Sequence, residues 1–238
     1  PPRSTPLYSS AASDVYKRQI LHHEVLEFKK KRKIPVVACI MDIGTSGGYY
    51  LASASDHIVA HPSAVTGSIG VIMLTINGSG LMEKIGLEAH AITSGQHKDM
   101  GSPFRKMTAQ DQAIFEGLIQ SFYQRFLEII EQGRPQLTKE KIRQLADGRI
   151  YSAPQAKKAG LIDRIGYLDD AIAIAKQEAG MPEAKVIMYE RTGGYHPNIY
   201  SQWGGTSGNT RFIIPKLDPL SLASALGSTP VFMYMWLP

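Results

Sequence analysis

The chain has 238 residues, of which 43% are apolar and 20% charged, and carries a formal net charge of +5. That length buries a core as one domain, or as one domain with an appendage, and the composition is ordinary for a globular chain. The charge excess is too small to argue for a nucleic-acid partner. The single cysteine, Cys39, excludes an internal disulfide, and no run reaches the ~18 apolar residues of a membrane-spanning helix.

Residues 1–19 show no periodicity, have no initiating Met and cluster Pro and Ser early. The string from Ser9 to Gln19 resembles translated adapter sequence, so residues 1–19 are set apart as a non-native or disordered leader. From Ile20 onward Leu21, Val25, Leu26 and Phe28 predict a helical apolar stripe. It closes on Lys29-Lys30-Lys31-Arg32-Lys33, where cations favour the negative end of the helix dipole, and Pro35 follows.

Val36 to Met41 reads as a buried strand holding Cys39 as an inert thiol, residues 46–55 as helix, and Ile58 to Ala60 as strand. A strand over Ser68 to Ile76, a helix near Leu81 to Ile85 and a strand over Ala89 to Thr93 come next. This alternation predicts an α/β domain with a largely parallel sheet and flanking helices. After a polar loop over 94–107, Thr108 with Asp111 opens a long helix with a stripe through Ile114, Leu118, Phe122, Phe126 and Ile130. Thr138, Ser152 and Asp169 start three further helices, and Ala184 to Tyr189 reads as a strand. Thr192 to Pro215 reads as a loop. The apolar end from Val231 to Trp236 is expected to pair with a sheet or another subunit, since left exposed it invites aggregation.

The strongest chemical signal is Gly44-Thr45-Ser46-Gly47-Gly48-Tyr49-Tyr50-Leu51-Ala52-Ser53-Ala54, directly after a strand. A strand, a tight turn and a helix put Ser46 at a helix N-terminus, where free N–H groups and the dipole favour developing negative charge. Gly47 and Gly48 leave room for a substrate carbonyl, and the Gly47 N–H is placed as an oxyanion donor. The same residues also fit a plain N-cap serine in a glycine-rich turn. Read alone, Lys98 is a solvated surface lysine. His57, His61, His90 and His97 lack an evident triad acid and lack metal-ligand spacing, so neither a Ser-His-Asp site nor a metal centre is expected.

Three strings follow in order: Ser46 to Ala54, His57-Ile58-Val59-Ala60-His61-Pro62, and Val65-Thr66-Gly67-Ser68-Ile69-Gly70-Val71-Ile72. With Ser94 to Thr108, and Asp147-Gly148-Arg149-Ile150-Tyr151 leading to Gly160-Leu161-Ile162-Asp163, they resemble the signal peptide peptidase A (protease IV) family in its short, single-repeat form. The resemblance covers about residues 20 to 190 and implies a crotonase/ClpP-like fold. It implies a serine–lysine dyad, with Ser46 as nucleophile, Lys98 as general base, Ser68 orienting the lysine amine and the Gly47 N–H in the oxyanion hole. A lysine acts as base only when neutral, so its pKa must fall by ~3 from ~10.4, which burial in an apolar site can achieve. Asp99 would oppose that unless it faced away, as neighbours do in an extended segment.

The family further implies no cofactor and no metal, apolar peptides such as leftover signal peptides as substrates, a ring of subunits, and a membrane-anchored parent with an extracytoplasmic active site. The Ser-Pro-Gly-Gly-like segment that carries the family's other oxyanion donor has no counterpart before Met41, so the first strands of the fold and any anchor are expected to be missing. Residues 20–190 then form the peptidase domain and 191–238 a loop-rich tail. Related serine–lysine peptidases acting in phage-head maturation or on membrane proteins, a non-catalytic scaffold of the same fold, and acyl-CoA chemistry are the competing readings.

Overall fold

A computed structural model describes residues 13–187 and 231–234. The chain forms two units, Pro1–Pro182 with Thr229–Pro238, and Glu183–Ser228; every site residue lies in the first. Helix α1 spans Val15–Arg32, beginning ahead of the predicted start at Ile20, and its last turn is the basic run. Lys29 there pairs with Asp56 at 2.8 Å and donates to the Ala54 carbonyl at 2.9 Å. The predicted stripe of α1 is not its buried face: Leu21, Leu26 and Phe28 are 38–47% exposed and Val25 is only partly buried, whereas Val15 and His22 are buried. His22 sets its ring edge-on to Tyr50, with centroids 5.2 Å apart, so packing on the next helix, not the apolar stripe, fixes how α1 is rotated.

The central sheet is parallel. Strand β2 (Val37–Ile40) pairs with β4 (His57–Ala60), and β4 with β8 (Arg164–Ile165). A second sheet joins β3 (Ile43–Thr45) in parallel to β5 (Val65–Gly67), which pairs antiparallel with β7 (Ile150–Ser152). The third is antiparallel, with β9 (Val231–Tyr234) between β1 (Ser13–Asp14) and β6 (Ile72–Leu74). The apolar C-terminal run thus pairs with a sheet as expected over the four residues described there. Cys39 is half-buried rather than fully buried, its Sγ 3.4 Å from Met41 Sδ, and burial pushes its thiol up.

Helix α2 (Gly47–Ala52) follows β3, and α3 (Ser79–Lys84) follows β6. The long α4 (Ala109–Gly133) opens on the predicted Thr108–Asp111 capping box. Helices α5 (Lys139–Leu145), α6 (Ala153–Ala159) and α7 (Leu168–Glu178) start after Thr138, Ser152 and Tyr167. The core gathers Tyr49 and Tyr50 of α2, Ile58 of β4, and Phe126, Leu127, Ile129 and Ile130 of α4. At the end of α4, Gly133 comes so close to α2 that a Cβ there would lie 2.2 Å from the Ser53 carbonyl oxygen.

Three predicted strands differ, the first of them shortened to β6. Ser68 to Ile76 is broken because Gly67 (φ 86°) and Ser68 (φ 50°) adopt left-handed backbone, which ends a strand. Residues 89–93 are exposed and carry no strand, and Ile92 is wholly exposed. Residues 184–187 show no strand either, and the rest of that predicted strand and the loop over 192–215 lie outside the described residues.

Candidate active site

Ser46 sits on the turn between β3 and α2. Its N–H donates to the Gly67 carbonyl at 2.7 Å and its carbonyl accepts from Tyr50 N–H at 2.8 Å. Since that is the first bond of α2, the N–H groups of Gly47, Gly48 and Tyr49 have no acceptor within the helix. Ser46 has φ 51° and ψ −113°, a conformation glycine accepts and L-residues resist, and its side chain does not cap the helix. It is 1% exposed, and its Oγ has no hydrogen-bond partner. The N-cap explanation for this serine is thereby removed.

Both sides of the turn are fixed. Upstream, the Thr66 hydroxyl donates to the Gly44 carbonyl at 2.7 Å, and Gly44 lies against Ile40 so tightly that a Cβ would be 2.6 Å from its Cγ2. Downstream, the Tyr49 hydroxyl donates to the Leu161 carbonyl at 2.9 Å, and the Tyr50 ring packs on Phe126 at 5.1 Å. Burial pushes the Tyr49 phenol up, so it stays a neutral donor. An unfavourable φ persists only when its surroundings over-determine it, as they do at Ser46.

Ser68 belongs to the same place. In the parallel register Thr45 lies opposite Gly67, so Ser46 and Ser68 each follow the last paired residue of adjacent strands. Ser68 is also left-handed and 6% exposed, and its N–H donates to the Arg149 carbonyl at 2.8 Å. Gly67 is needed between them: a Cβ there would be 2.5 Å from the Tyr151 ring, whose hydroxyl donates to the Leu145 carbonyl at 3.0 Å.

Lys98 is not drawn into this pair. It lies on an exposed turn, and the Ser46 Oγ makes no hydrogen bond to it or to Ser68. The apolar burial that sequence reasoning expected around its amine is therefore not supplied by the described residues of one chain. Asp99 also departs from expectation. The segment is a turn, not extended, and Asp99 is taken up by Arg105, whose Nε and Nη2 donate to its two oxygens at 2.8 Å each. That guanidinium holds the Asp99 carboxyl below the usual range, and it does the same to Asp111, which accepts from Arg105 Nη1 at 2.6 Å. Arg105 was not singled out from the sequence. Its only signal was its place in the string from Ser94 to Thr108.

The histidines need one correction. Carboxylates do stand near three of them: Glu178 is 3.6 Å from His57, Glu88 3.3 Å from His90, and Asp111 3.4 Å from His97. No triad results, because Ser46 Oγ hydrogen-bonds to none of these rings. Among the described residues no cluster of His, Cys, Asp or Glu could hold a metal ion, and no helix is long and apolar enough to cross a membrane.

Comparison with known proteins bears on the family. The chain is 36% identical over 207 residues to a protein of Enterococcus faecium provisionally named signal peptide peptidase SppA, covering 85% of this chain and 60% of that one. It is 35% identical to the chloroplastic serine protease SPPA of Arabidopsis thaliana, over 81% of this chain and 29% of that one. With protease 4 of Haemophilus influenzae the identity is 31%, over 71% and 27%. The chain thus spans at most about 60% of the length of these relatives. A probable enoyl-CoA hydratase/isomerase of Mycobacterium abscessus superposes over 69% of this chain and 47% of that one, at 19% identity and a TM-score of 0.37, too low to carry an argument. The model of peptidase family S49 matches residues 28–182, the region that holds Ser46, Ser68 and Lys98, and the chain, with its signal peptide peptidase A motifs, belongs to that family.

Proposed function

We propose that this chain carries the catalytic serine domain of a serine peptidase, with Ser46 as nucleophile, Lys98 as general base and Ser68 orienting the lysine amine. The observation that carries this is Ser46 itself: a buried, uncapping serine with a bare hydroxyl, held at φ 51° beside Ser68. A serine kept for packing or capping has no reason to bear that backbone conformation, whereas a nucleophile on a strained strand-to-helix turn does. The Gly47 N–H, left without an acceptor in α2, serves as an oxyanion donor.

Two things must change before attack. Whatever covers Ser46 has to move when substrate enters, and Lys98 has to be buried to lose its proton. Association of copies into a ring supplies that burial in our reading. The exposed Leu74, Ile76, Leu81, Ile85, Phe104 and Met107 around the lysine segment support an apolar contact there. Substrates are taken to be signal peptides or other apolar segments, bound extended by a parent protein anchored at the membrane with its site outside the cytoplasm. The family's crotonase/ClpP-like architecture goes with this reading, and no cofactor is required.

The test is labelling by a serine-reactive fluorophosphonate, comparing the chain with Ser46→Ala and Lys98→Ala. Labelling lost in both variants establishes the dyad. A folded chain that never labels, or that labels equally without Lys98, moves the scaffold reading ahead.

A further inference from the structure

We propose that Arg105, seated on Asp111 and forked onto Asp99, is a positioning residue that fixes the turn carrying Lys98 and cancels the carboxylate beside it. This rests on the reading of Lys98 as base, and it concerns residues that the dyad does not include.

The geometry is a hub with two arms. Asp111 is the third residue of α4, and its side chain is 1% exposed. It is pinned by the helix start: its Oδ2 accepts from the Thr108 N–H, and its own N–H donates to the Thr108 hydroxyl, both at 3.1 Å. From that fixed point Oδ1 meets His97 Nδ1 at a long 3.4 Å, and Oδ2 accepts from Arg105 Nη1 at 2.6 Å. Arg105 then turns Nε and Nη2 onto both oxygens of Asp99. His97 and Asp99 are the two residues that flank Lys98. The lysine is thus the one member of the triplet left free to reach out, while both neighbours are tethered to the first turn of a long helix.

The turn's own backbone bonds are Lys98 N–H to the Gly95 carbonyl at 3.1 Å, Met100 N–H to the His97 carbonyl at 3.2 Å and Ser102 N–H to the Asp99 carbonyl at 3.0 Å, and Gln96 Nε2 adds a long 3.5 Å contact to Gln110 Oε1. The base of the loop is tied to the start of α3 by Gly78 N–H on the Pro103 carbonyl at 2.7 Å and by Asn77 on the Arg105 carbonyl. Lysine cannot replace arginine here, because spanning two carboxylates in one plane needs the guanidinium fork. The charge balance matters as much as the geometry. An unpaired Asp99 next to Lys98 would favour the ammonium form, which is useless as a base, and Arg105 offsets it. The charged or titratable side chains bonded to one another at the turn are His97, Asp99, Arg105 and Asp111.

The experiment uses the whole chain and two readouts: the fluorophosphonate labelling rate against pH, and the NMR titration midpoint of the Lys98 side chain, assigned with Lys98→Arg. Asp99→Asn leaves the Arg105–Asp111 pair untouched and removes the excess negative charge beside Lys98. It should move the acidic limb of the labelling profile down by about half to one pH unit. Arg105→Gln takes the guanidinium from both Asp99 and Asp111 and should move the limb up by a similar amount. Arg105→Lys keeps the charge but loses the fork, so the limb should stay while the rate falls about ten- to a hundredfold. Shifts of opposite sign, seen also in the Lys98 midpoint, are what a merely structural role would not give. If folded Asp99→Asn and Arg105→Gln both leave limb and midpoint where they are, the proposal is overturned. If Lys98→Ala labels like wild type, it is the assignment of Lys98 as base that fails, and the NMR midpoint alone then decides whether Arg105 controls this turn.

Discussion

Replacing Ser46 should make the protein more stable, and the amount depends on which residue replaces it. Its Oγ is buried without a partner, and leaving a hydroxyl desolvated and unpaired costs about 1–3 kcal/mol. Ser46→Ala deletes that group with almost no loss of packing, so we expect a gain of about 1 kcal/mol. The backbone strain remains, since alanine resists φ 51° as serine does. Ser46→Gly relieves it as well, worth about 1–3 kcal/mol, against about 0.5–1 kcal/mol for the extra freedom glycine has when unfolded. The net order is Gly above Ala above Ser, spaced by about 1 kcal/mol a step, or about 2–4 °C each in Tm for a domain of this size. Urea and thermal melts followed by far-ultraviolet circular dichroism measure this, with fluorophosphonate labelling absent in both variants. An alanine variant less stable than wild type would show that the hydroxyl is not bare, and a glycine variant below alanine would show that the turn is not strained.

Three further outcomes follow from the packing and the charges. Gly133→Ala puts a Cβ 2.2 Å from the Ser53 carbonyl oxygen; the overpacking cost of about 1–3 kcal/mol exceeds the ~1 kcal/mol of helix propensity gained, so urea melts should show a net loss despite the better helix former. Arg134, 2% exposed, forks Nη1 onto both oxygens of Asp163 at 2.7 Å; Arg134→Met should cost about 2–4 kcal/mol by stranding that carboxylate, and adding Asp163→Asn should recover part of it in the same melts. His22 is buried, and burial holds its imidazole down at about 4. The unfolded imidazole, near 6.5, binds a proton that the folded one refuses, so stability is full above ~6.5 and falls as pH drops towards ~4. Unfolding free energies from urea melts at both ends of that window should differ by about 2 kcal/mol more in wild type than in His22→Gln.

Much of the framework could be read from local signals. Thr108 with Asp111, Thr138 and Ser152 stand where α4, α5 and α6 begin, because a cap is written within four residues of its helix. The turn and helix start at Ser46 were legible for the same reason. The strand that leads into them, β3, was not, nor were β5 and β7: three residues carry no periodicity, and only their pairing partners make them strands. The stripe of α1 misled in the opposite way, since a good apolar pattern was left exposed while His22 took the packed position against Tyr50.

The sequence by itself determined that a serine stands in a glycine-rich turn at a helix start, that a lysine follows in a polar loop, and that the motifs are those of one peptidase family. Only the tertiary structure decided that Ser46 is strained and uncapping, that Ser68 is its neighbour, and that Arg105 occupies Asp99. Each depends on partners remote along the chain: the Gly67 carbonyl that takes the Ser46 N–H, the Arg149 carbonyl that takes that of Ser68, and the helix start that seats Asp111. Caps and turns are short-range and appear in the letters, whereas register, strain and charge pairing are fixed only when distant segments meet.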